Sequence, residues 1–303
     1  MKTADAATTV HGFVLADKPA GMPSTALVSR LRKRLSGSRV GHTGTLDRFA
    51  SGLMLLVVGR ATALAERFLH ADKAYYADFA FGRSTDTHDP TGETLEERPP
   101  AAVRDFLESQ QERIETAVRG LLQCTSQRPP LFSALKKDGN RFSDRARQGE
   151  TELPKERAIR VSRAEVLEID PAAGIVRADL HVRGGPYIRS FARDLGEQLG
   201  FPVHLGALRR HSLGRFNIEE SGLWLPDEEQ IRPVVLPVAE GLPDWPRVGV
   251  PTAAVADVLQ GRMPRLEGLP EAGTDFFLVG PEGETLAWAQ SRQQGFAYRR
   301  VFV

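Results

Sequence analysis

The 303-residue chain has little of what disulfide-bonded, cysteine-ligated or membrane-spanning proteins require. Its single cysteine, Cys124, excludes an internal disulfide framework and a cysteine-based zinc site, and we interpret it as a small buried hydrophobe. No apolar run approaches the roughly 18 residues that a membrane span needs. No apolar stretch follows Met1 and Lys2 either, so we expect a protein that is not exported and works in the cytoplasm.

The chain also has almost no excess charge of one sign, with a formal net charge of +1. Its distribution is uneven, because residues 1–70 carry +6, residues 71–200 carry −2 and residues 201–303, which contain no lysine, carry −3. A basic N-terminal region would attract phosphates and steer a polyanion such as RNA towards it. Ordinary solvated surface charge explains the same counts, so this pattern alone does not select an RNA-binding protein.

The most specific pattern present is one acid in a glycine-rich turn ahead of an apolar run. Residues 41–47 read GHTGTLD, and the apolar run extends from Leu53 to Val58. Glycines allow tight backbone turns and close approach of a ligand, so the Asp47 carboxylate is displayed rather than packed among side chains. An ordinary turn closed by an aspartate is the commoner explanation of this spacing alone. A phosphate-binding P-loop is excluded, because no lysine follows the second glycine.

Six segments, in order, resemble the TruB family of tRNA pseudouridine synthases and span roughly residues 11–215. They are 15–22 (LADKPAGM), 41–59 (GHTGTLDRFASGLMLLVVG), 72–75 (DKAY), 132–136 (FSALK), 185–189 (GPYIR) and 204–210 (HLGALRR). The resemblance implies an isomerase that converts the T-loop uridine of tRNA, at position 55, to pseudouridine. It also implies that neither a metal nor another cofactor is needed, that tRNA is the partner, and that no protein partner is obligatory. We expect a monomer.

The resemblance assigns catalytic roles to Asp47, Tyr75 and Arg189. Asp47 would act as a nucleophile at ribose C1′ or as a base towards C2′, and the sequence leaves both open. A carboxylate in a closed site needs a fixed cation, and Arg189 suits this because its planar fork meets both carboxylate oxygens. Tyr75 would stack on the extruded uracil, although its position in an alternating segment is equally typical of a core aromatic.

The same segments supply candidate substrate and RNA contacts. Tyr187 would line the base pocket, and His42 would fill the gap that the base leaves, although a structural histidine is just as compatible. Lys18 would shape the loop of the site. The remaining candidates for contacts to phosphate or to the core edge are Lys136, Arg209 and Arg210. Leu208 is a further candidate for a substrate contact.

One position departs from the family pattern. A proline usually follows the catalytic aspartate, whereas Arg48 follows Asp47 here. Because proline fixes its own φ and biases the preceding residue towards an extended conformation, its absence predicts a less pre-set loop. Arg48 adds a cation that we expect to face RNA.

Periodicity predicts an α+β fold, the pseudouridine synthase fold of the resemblance, with a mainly antiparallel sheet flanked by helices. The predicted helices are 24–36, with Ser24 as its N-cap and an outward row of cations that could follow an RNA backbone, 103–122 and 188–199. The predicted strands are 53–58, 75–81 and the hairpin 159–169 with 174–182.

The C-terminal part predicts a separate, smaller unit. The proline-rich stretch 226–251 indicates a linker, and apolar segments at 276–279 and 297–303 predict a small β-rich module. The resemblance implies a PUA-like RNA-binding domain there, so we divide the chain into a catalytic domain, 1–230, and a linker with a C-terminal domain, 231–303.

Three other interpretations remain open. The cluster Asp86, His88 and Asp89 has ligand types that a metal could use, although a polar loop explains it as well. The scaffold could serve a noncatalytic RNA-binding protein. An aspartate-nucleophile glycosidase is the third alternative, but it commonly needs a second positioned carboxylate that no motif supplies.

Overall fold

A mixed sheet organises the chain in the computed structural model, which describes residues 10–133, 135–219, 223–227 and 233–302. The strands are β1 (Gly12–Lys18), β2 (Val40–His42), β3 (Ser51–Val58), β4 (Lys73–Phe81), β5 (Arg83–Thr85), β6 (Thr94–Glu97), β7 (Ser126–Gln127), β8 (Lys136–Lys137), β9 (Asn140–Arg141), β10 (Arg157–Ala158), β11 (Arg160–Asp170), β12 (Ile175–Arg183), β13 (Val203–Leu213), β14 (Phe216–Asn217), β15 (Arg247–Gly249), β16 (Asp275–Val279), β17 (Thr285–Ser291) and β18 (Phe296–Val301).

The helices connect and cover these strands. They are α1 (Ser24–Arg34), α2 (Ala65–Leu69), α3 (Pro100–Ser109), α4 (Gln111–Gly120), α5 (Phe142–Arg147), α6 (Ile188–Leu199), α7 (Val238–Gly241) and α8 (Thr252–Leu259), with 3₁₀ turns at Gly59–Leu64 and Leu121–Gln123. None of the helices in the described ranges is long and apolar enough to cross a bilayer.

The main sheet has the strand order β1-β3-β13-β4-β12-β11, with β2 paired to β3 and β14 to β13. All its ladders are antiparallel except the short β3–β13 pairing at Ser51 and Gly52. The predicted α+β class and the hairpin of β11 and β12 are therefore confirmed. Gly52 has φ +107°, and a Cβ there would lie 2.3 Å from the Arg210 carbonyl oxygen, so glycine lets β13 approach β3 at this point.

The two faces of this sheet bury different clusters. On what we call the helical face, α1, α3, α4 and α6 cover one cluster, which includes Tyr75, Ala77 and Phe79 of β4. On the back face, the odd-numbered apolar residues of β1 and β3 pack with Phe277 and Trp288 of the C-terminal strands. Alternation along each strand separates the two clusters, as expected for period-two side chains.

The C-terminal strands form a four-stranded sheet, β15-β16-β17-β18, with a small core of its own. This is the β-rich module that the sequence predicts. It packs against the back of β1 and β3, and Arg67 joins Asp275 by an ion pair of 2.5 Å while lying over the rings of Trp245 and Trp288. The predicted boundary at residue 230 lies outside the described residues.

Three local predictions need correction. The helix predicted over 103–122 is two helices, α3 and α4, because Gln110 leaves the helical region with φ −116° and ψ 21°. The predicted linker 226–251 contains α7 and β15. Apolar residues of α7 pack in the back-face cluster, and those of β15 pack in the core of the C-terminal sheet. Pro23, not Ser24, is the N-cap of α1. Cys124 is half-buried against the helical-face cluster, and burial raises the pKa of its thiol.

Candidate active site

Asp47 and Arg189 meet although 142 positions separate them in the sequence. Asp47 lies in the loop between β2 and β3, which we call the Asp47 loop (residues 43–50), and Arg189 lies in the first turn of α6. Arg189 Nε donates to Asp47 Oδ2 at 2.8 Å, and Nη2 approaches Oδ1 at 3.4 Å. The Arg189 side chain is 6% exposed, whereas that of Asp47 is 41% exposed. A buried, permanent cation thus holds a carboxylate that still faces open space.

The guanidinium of Arg189 is held on its other sides as well. Nη1 donates to the carbonyl oxygen of Thr87 at 3.1 Å, and Nη2 donates to that of Phe132 at 3.0 Å. A second carboxylate, Asp89, lies 3.4 Å from Nη1 and is as buried as Arg189. Because every side of the fork has an acceptor, rotation of the guanidinium away from Asp47 would break several hydrogen bonds.

Asp47 borders two cavities. One, of about 200 Å³, is lined by Tyr75, Tyr187 and Leu208 together with Asp47, and we call it the Tyr75 cavity. The other, of about 290 Å³, lies on the side of Arg189 and Asp89. The carboxylate is therefore accessible to a group placed in either space, which a simple turn aspartate would not need.

Two basic groups that the sequence did not assign to catalysis also line the Tyr75 cavity. Lys73 donates from Nζ to the carbonyl oxygens of Leu69 and Ala71, both at 2.9 Å. Arg210 donates from Nε to the Leu53 carbonyl oxygen at 2.7 Å and from Nη2 to that of Gly44 at 3.3 Å. Burial and, to a smaller extent, the neighbouring charge of Arg210 lower the pKa of Lys73 from 10.5 to about 8.

Burial also shifts the pKa values of Tyr187 and His42. It raises the pKa of the Tyr187 hydroxyl, so this group stays protonated at neutral pH. It lowers the pKa of His42, and the positive charge of Arg210 acts in the same direction, so a neutral imidazole is favoured. His42 lies in β2, and its buried Nδ1 has no hydrogen-bond partner among the described residues.

Lys18 and Arg48 both make hydrogen bonds that connect the Asp47 loop to the segment after β1. Lys18 is fully buried, and its Nζ donates to the carbonyl oxygens of Met22 at 2.7 Å, Pro19 at 3.1 Å and Arg48 at 3.4 Å. This placement supports the loop-shaping role and is incompatible with a direct contact to RNA. Burial lowers the pKa of Lys18 from 10.5 to about 8 despite the opposing effect of the Asp47 carboxylate.

Arg48 replaces proline with a hydrogen-bonded tether. Its Nε donates to the carbonyl oxygen of Gly21 at 3.0 Å, and the Gly21 amide donates back to the Arg48 carbonyl oxygen at 2.7 Å. The reciprocal pair fixes the backbone next to Asp47. The expectation of a less pre-set loop therefore overlooked a constraint that the side chain itself provides.

Arg209, a further predicted contact, is not brought to the site. Arg209 pairs with Asp17 through bonds of 2.6 and 3.2 Å, and its register partner on β4 is Tyr76, so it lies on the back face. It is a core-edge residue there and cannot reach a ligand beside Asp47. Lys136 lies in β8, and its side chain is outside the described part of the structure.

Comparisons with known proteins show the family of the chain. The model of the TruB family pseudouridylate synthase N-terminal domain matches residues 32–188. The chain is 37% identical over 302 residues to the tRNA pseudouridine synthase B of Leptospira interrogans serovar copenhageni, covering 97% of this chain and 95% of that protein. The chain belongs to the TruB family.

A second TruB-family relative extends the match, and a solved structure supports the fold. The tRNA pseudouridine synthase B of Corynebacterium diphtheriae is 36% identical over 299 residues, covering 96% of this chain and 95% of that protein. A crystal structure of a Cbf5-Nop10-Gar1 complex contains a chain with a TM-score of 0.65 at 24% identity, covering 98% of this chain and 86% of that one. At this identity the structural likeness concerns the fold alone.

Sequence reasoning missed Asp89 as a part of this TruB-family site. The polar cluster at 86–89 suggested at most a metal loop, yet Asp89 Oδ1 accepts from Thr87 Oγ1 at 2.8 Å, the Thr91 amide at 2.9 Å and Thr91 Oγ1 at 2.5 Å. Its Oδ2 faces Arg189. A carboxylate saturated in this way holds the arginine and has no oxygen free for an ion. A signal was available, since Thr-x-Asp-x-Thr is a pattern of local side-chain bonds.

The described part of the chain has one cluster with the composition of a metal site, formed by Asp179, His181 and His211 on the back face. Asp179 accepts from His211 at 3.0 Å and lies 3.3 Å from His181, and Arg163 Nε lies 3.2 Å from the same carboxylate. With a guanidinium already on this carboxylate, the cluster is a satisfied network of hydrogen bonds and ion pairs.

Proposed function

We propose that this TruB-family chain is a tRNA pseudouridine synthase that isomerises the T-loop uridine, at position 55, to pseudouridine. The observation that carries the proposal is that Asp47, which Arg189 holds by hydrogen bonds to both its oxygens, lines the same cavity as Tyr75, although the three residues come from distant parts of the chain. The family relationship supplies the reaction class. The monomeric state and the cytoplasmic location remain predictions.

The reaction breaks the bond from uracil N1 to ribose C1′ and forms a bond from C5 to C1′. A proton leaves C5 and one is gained at N1, so no atom, electron or cofactor has to come from outside. Asp47 is the only carboxylate that lines the Tyr75 cavity among the described residues. It acts either on C1′ as a nucleophile or on C2′ as a base, and Arg189 orients it for both.

A uridine in a folded RNA loop has to leave its stack before it can reach this carboxylate. Extrusion costs a few kcal/mol, and stacking in the pocket offsets this cost. Tyr75 is 7% exposed and lines the cavity, so it is placed to receive the base. Tyr187 and Leu208 line the same cavity and limit the water around the detached uracil.

The two alternatives from the sequence fit less well. A noncatalytic RNA-binding protein has no physical need for an exposed carboxylate, buttressed by a buried arginine, beside a phosphate-binding surface. A glycosidase would need a second carboxyl group free to act as an acid. Asp89 is the nearby candidate, but both its oxygens are occupied by Arg189, Thr87 and Thr91.

The test is an incubation of the purified protein with an unmodified tRNA transcript, without added metal or nucleotide. We expect pseudouridine at the T-loop position and no free uracil, with neither product from Asp47→Asn. Release of uracil would identify a glycosidase, and tight tRNA binding without either product would identify a binding protein. Circular dichroism of Asp47→Asn controls for its fold.

A further inference from the structure

A buried serine forms two hydrogen bonds to the backbone of the residue that precedes Asp47. Ser24 lies in the first turn of α1, and its Oγ donates to the Leu46 carbonyl oxygen at 2.8 Å. The same Oγ accepts from the Leu46 amide at 3.1 Å. Both backbone groups of Leu46, in a loop without strand partners, are therefore held by one side chain from another element. Asp47 is the next residue, so its backbone direction depends on this contact.

A buried glutamine forms two hydrogen bonds to the backbone two residues before Arg189. Gln127 lies in β7, and its Oε1 accepts from the Tyr187 amide at 2.9 Å. Its Nε2 donates to the Tyr187 carbonyl oxygen at 3.1 Å. Tyr187 is the N-cap residue of α6 and does not cap the helix with its own side chain. Gln127 thereby fixes the start of the helix whose first turn carries Arg189.

We propose that Ser24 and Gln127 are positioning residues that set the distance and orientation of the Asp47–Arg189 pair. The inference deepens the proposed function and rests on it. Each residue bonds both the N–H and the C=O of a residue one or two positions from a member of the pair. Neither reaches the cavity itself, since neither is among the residues that line it. They act through the backbone and are not catalytic.

The chemistry of the two side chains explains why these residue types are needed. A hydroxyl and a carboxamide can each donate and accept at the same time, which is what a single backbone unit demands. Alanine at position 24 would leave the buried amide and carbonyl of Leu46 without these partners. Methionine at position 127 would leave the part-buried Tyr187 amide without its partner and would leave the Tyr187 carbonyl with the Ser190 amide alone. The loop or helix start would then move until water or another group satisfied them.

The experiment measures single-turnover rates of pseudouridine formation and, separately, tRNA dissociation constants. We expect Ser24→Ala and Gln127→Met each to lower the rate by about 10–100-fold, because displacements near 1 Å at a reacting group cost this much. The dissociation constant should change far less than the rate, since no side chain that faces the RNA is removed. Ser24→Thr keeps the hydroxyl and should recover most of the rate.

Matched controls come from the same elements. Ser29→Ala removes an exposed hydroxyl of α1 that bonds only to Thr25 within the helix, and Ser126→Ala removes an exposed hydroxyl of β7 that bonds to Glu156. Both should turn over at the wild-type rate. A loss in these controls as large as in the test variants would overturn the inference.

Combination with Arg189→Lys separates positioning from general stability. If the two residues act through the Asp47–Arg189 pair, their substitution should cost little more once lysine has disrupted that pair. The proposal would be contradicted if the rate loss of the double variant equalled the product of the two single losses. Wild-type rates in the single variants would contradict it as well. A wild-type enzyme that forms no pseudouridine would instead remove the proposed function, and the inference with it.

Discussion

The two faces of β4, β12 and β13 carry similar residue types and do different things. On the helical face, Tyr75, Leu208 and Arg210 border a cavity that also reaches Asp47. On the back face, one position further along β4, Tyr76 is 40% exposed and stacks on His211 at 4.2 Å between ring centroids. Both faces thus combine a tyrosine, an aspartate and basic groups. On the helical face, a cavity of about 200 Å³ lies between them.

The difference lies in how the carboxylates are occupied. Asp179 on the back face is 8% exposed and contacts Arg163, His181 and His211, so it has nothing left to offer a ligand. Asp47 has one strong partner, and that partner is anchored by Asp89 and by two carbonyl oxygens. The carboxylate that can react is therefore the one that has few hydrogen-bond partners and lies beside a cavity. Residue type alone does not distinguish the two faces.

The largest difference is expected from replacing by lysine the arginine that pairs with each of these two carboxylates, Arg189 with Asp47 and Arg163 with Asp179. Arg189→Lys loses the paired contact to Asp47 and the bonds to Thr87 and Phe132, so we expect turnover to fall by about 10²–10³-fold, as for loss of other preorganised electrostatic groups. Arg163→Lys should leave turnover unchanged. Single-turnover assays with circular dichroism check both. Near-normal activity of Arg189→Lys would reject the catalytic pair.

The adjacent tyrosines give the next largest contrast. Tyr75→Ala should weaken tRNA binding or base capture by about 1–3 kcal/mol, the usual value of stacking on a base, and Tyr75→Phe should bind better than Tyr75→Ala. Tyr76→Ala removes only the stack on His211 and should leave tRNA affinity unchanged. Equilibrium binding measures these effects. If Tyr75→Phe binds normally but turns over slowly, the hydroxyl participates in proton transfer at C5.

A smaller effect should separate the two roles considered for Arg48. If the bond to Gly21 matters, Arg48→Ala and Arg48→Lys should reduce turnover to a similar, few-fold extent, because one hydrogen bond contributes about 0.5–1.5 kcal/mol. If the charge matters through RNA, Arg48→Lys should behave as wild type. Turnover and tRNA affinity measured over a range of salt concentrations distinguish these outcomes.

The smallest effect concerns the buried lysine of the Tyr75 cavity. The folded-state pKa of Lys73 is lowered to about 8 from 10.5, so between these values the unfolded chain holds a proton that the folded chain has released. The free energy of unfolding of the wild type, measured relative to Lys73→Met, should therefore rise with pH from about 8 to 10.5. Lys18 titrates in both proteins, so its contribution cancels in this difference.

Thermal unfolding across that pH range provides the measurement. Lys137→Met, which removes an exposed lysine away from the cavity, serves as the control. A difference between wild type and Lys73→Met that stays flat with pH would mean that the ammonium of Lys73 is better solvated than its surroundings indicate.

The local sequence pattern was sufficient to predict a strand or a helix end when the residues of that element alone carry the pattern. The alternation of 75–81 predicts β4 with Tyr75 on the buried side, and Gly200 closes α6 with φ 64°, as a C-terminal glycine should. The helix predicted at 103–122 was wrong because a short break at Gln110 leaves no mark in the apolar spacing. The expected role of Ser24 was wrong because its partner, Leu46, lies in another element.

By itself, the sequence determined the class of the fold, the family and the three residues that we propose act on uridine, because periodicity and motif spacing are local properties. Only the tertiary structure decided that Asp89 holds Arg189 and that Arg209 lies on the other face of the sheet. The same is true of the hydrogen bonds by which Ser24 and Gln127 hold the backbone near the Asp47–Arg189 pair. These are contacts between elements far apart in sequence. They depend on which face of a strand or helix each residue occupies after packing, and no short segment encodes that alone.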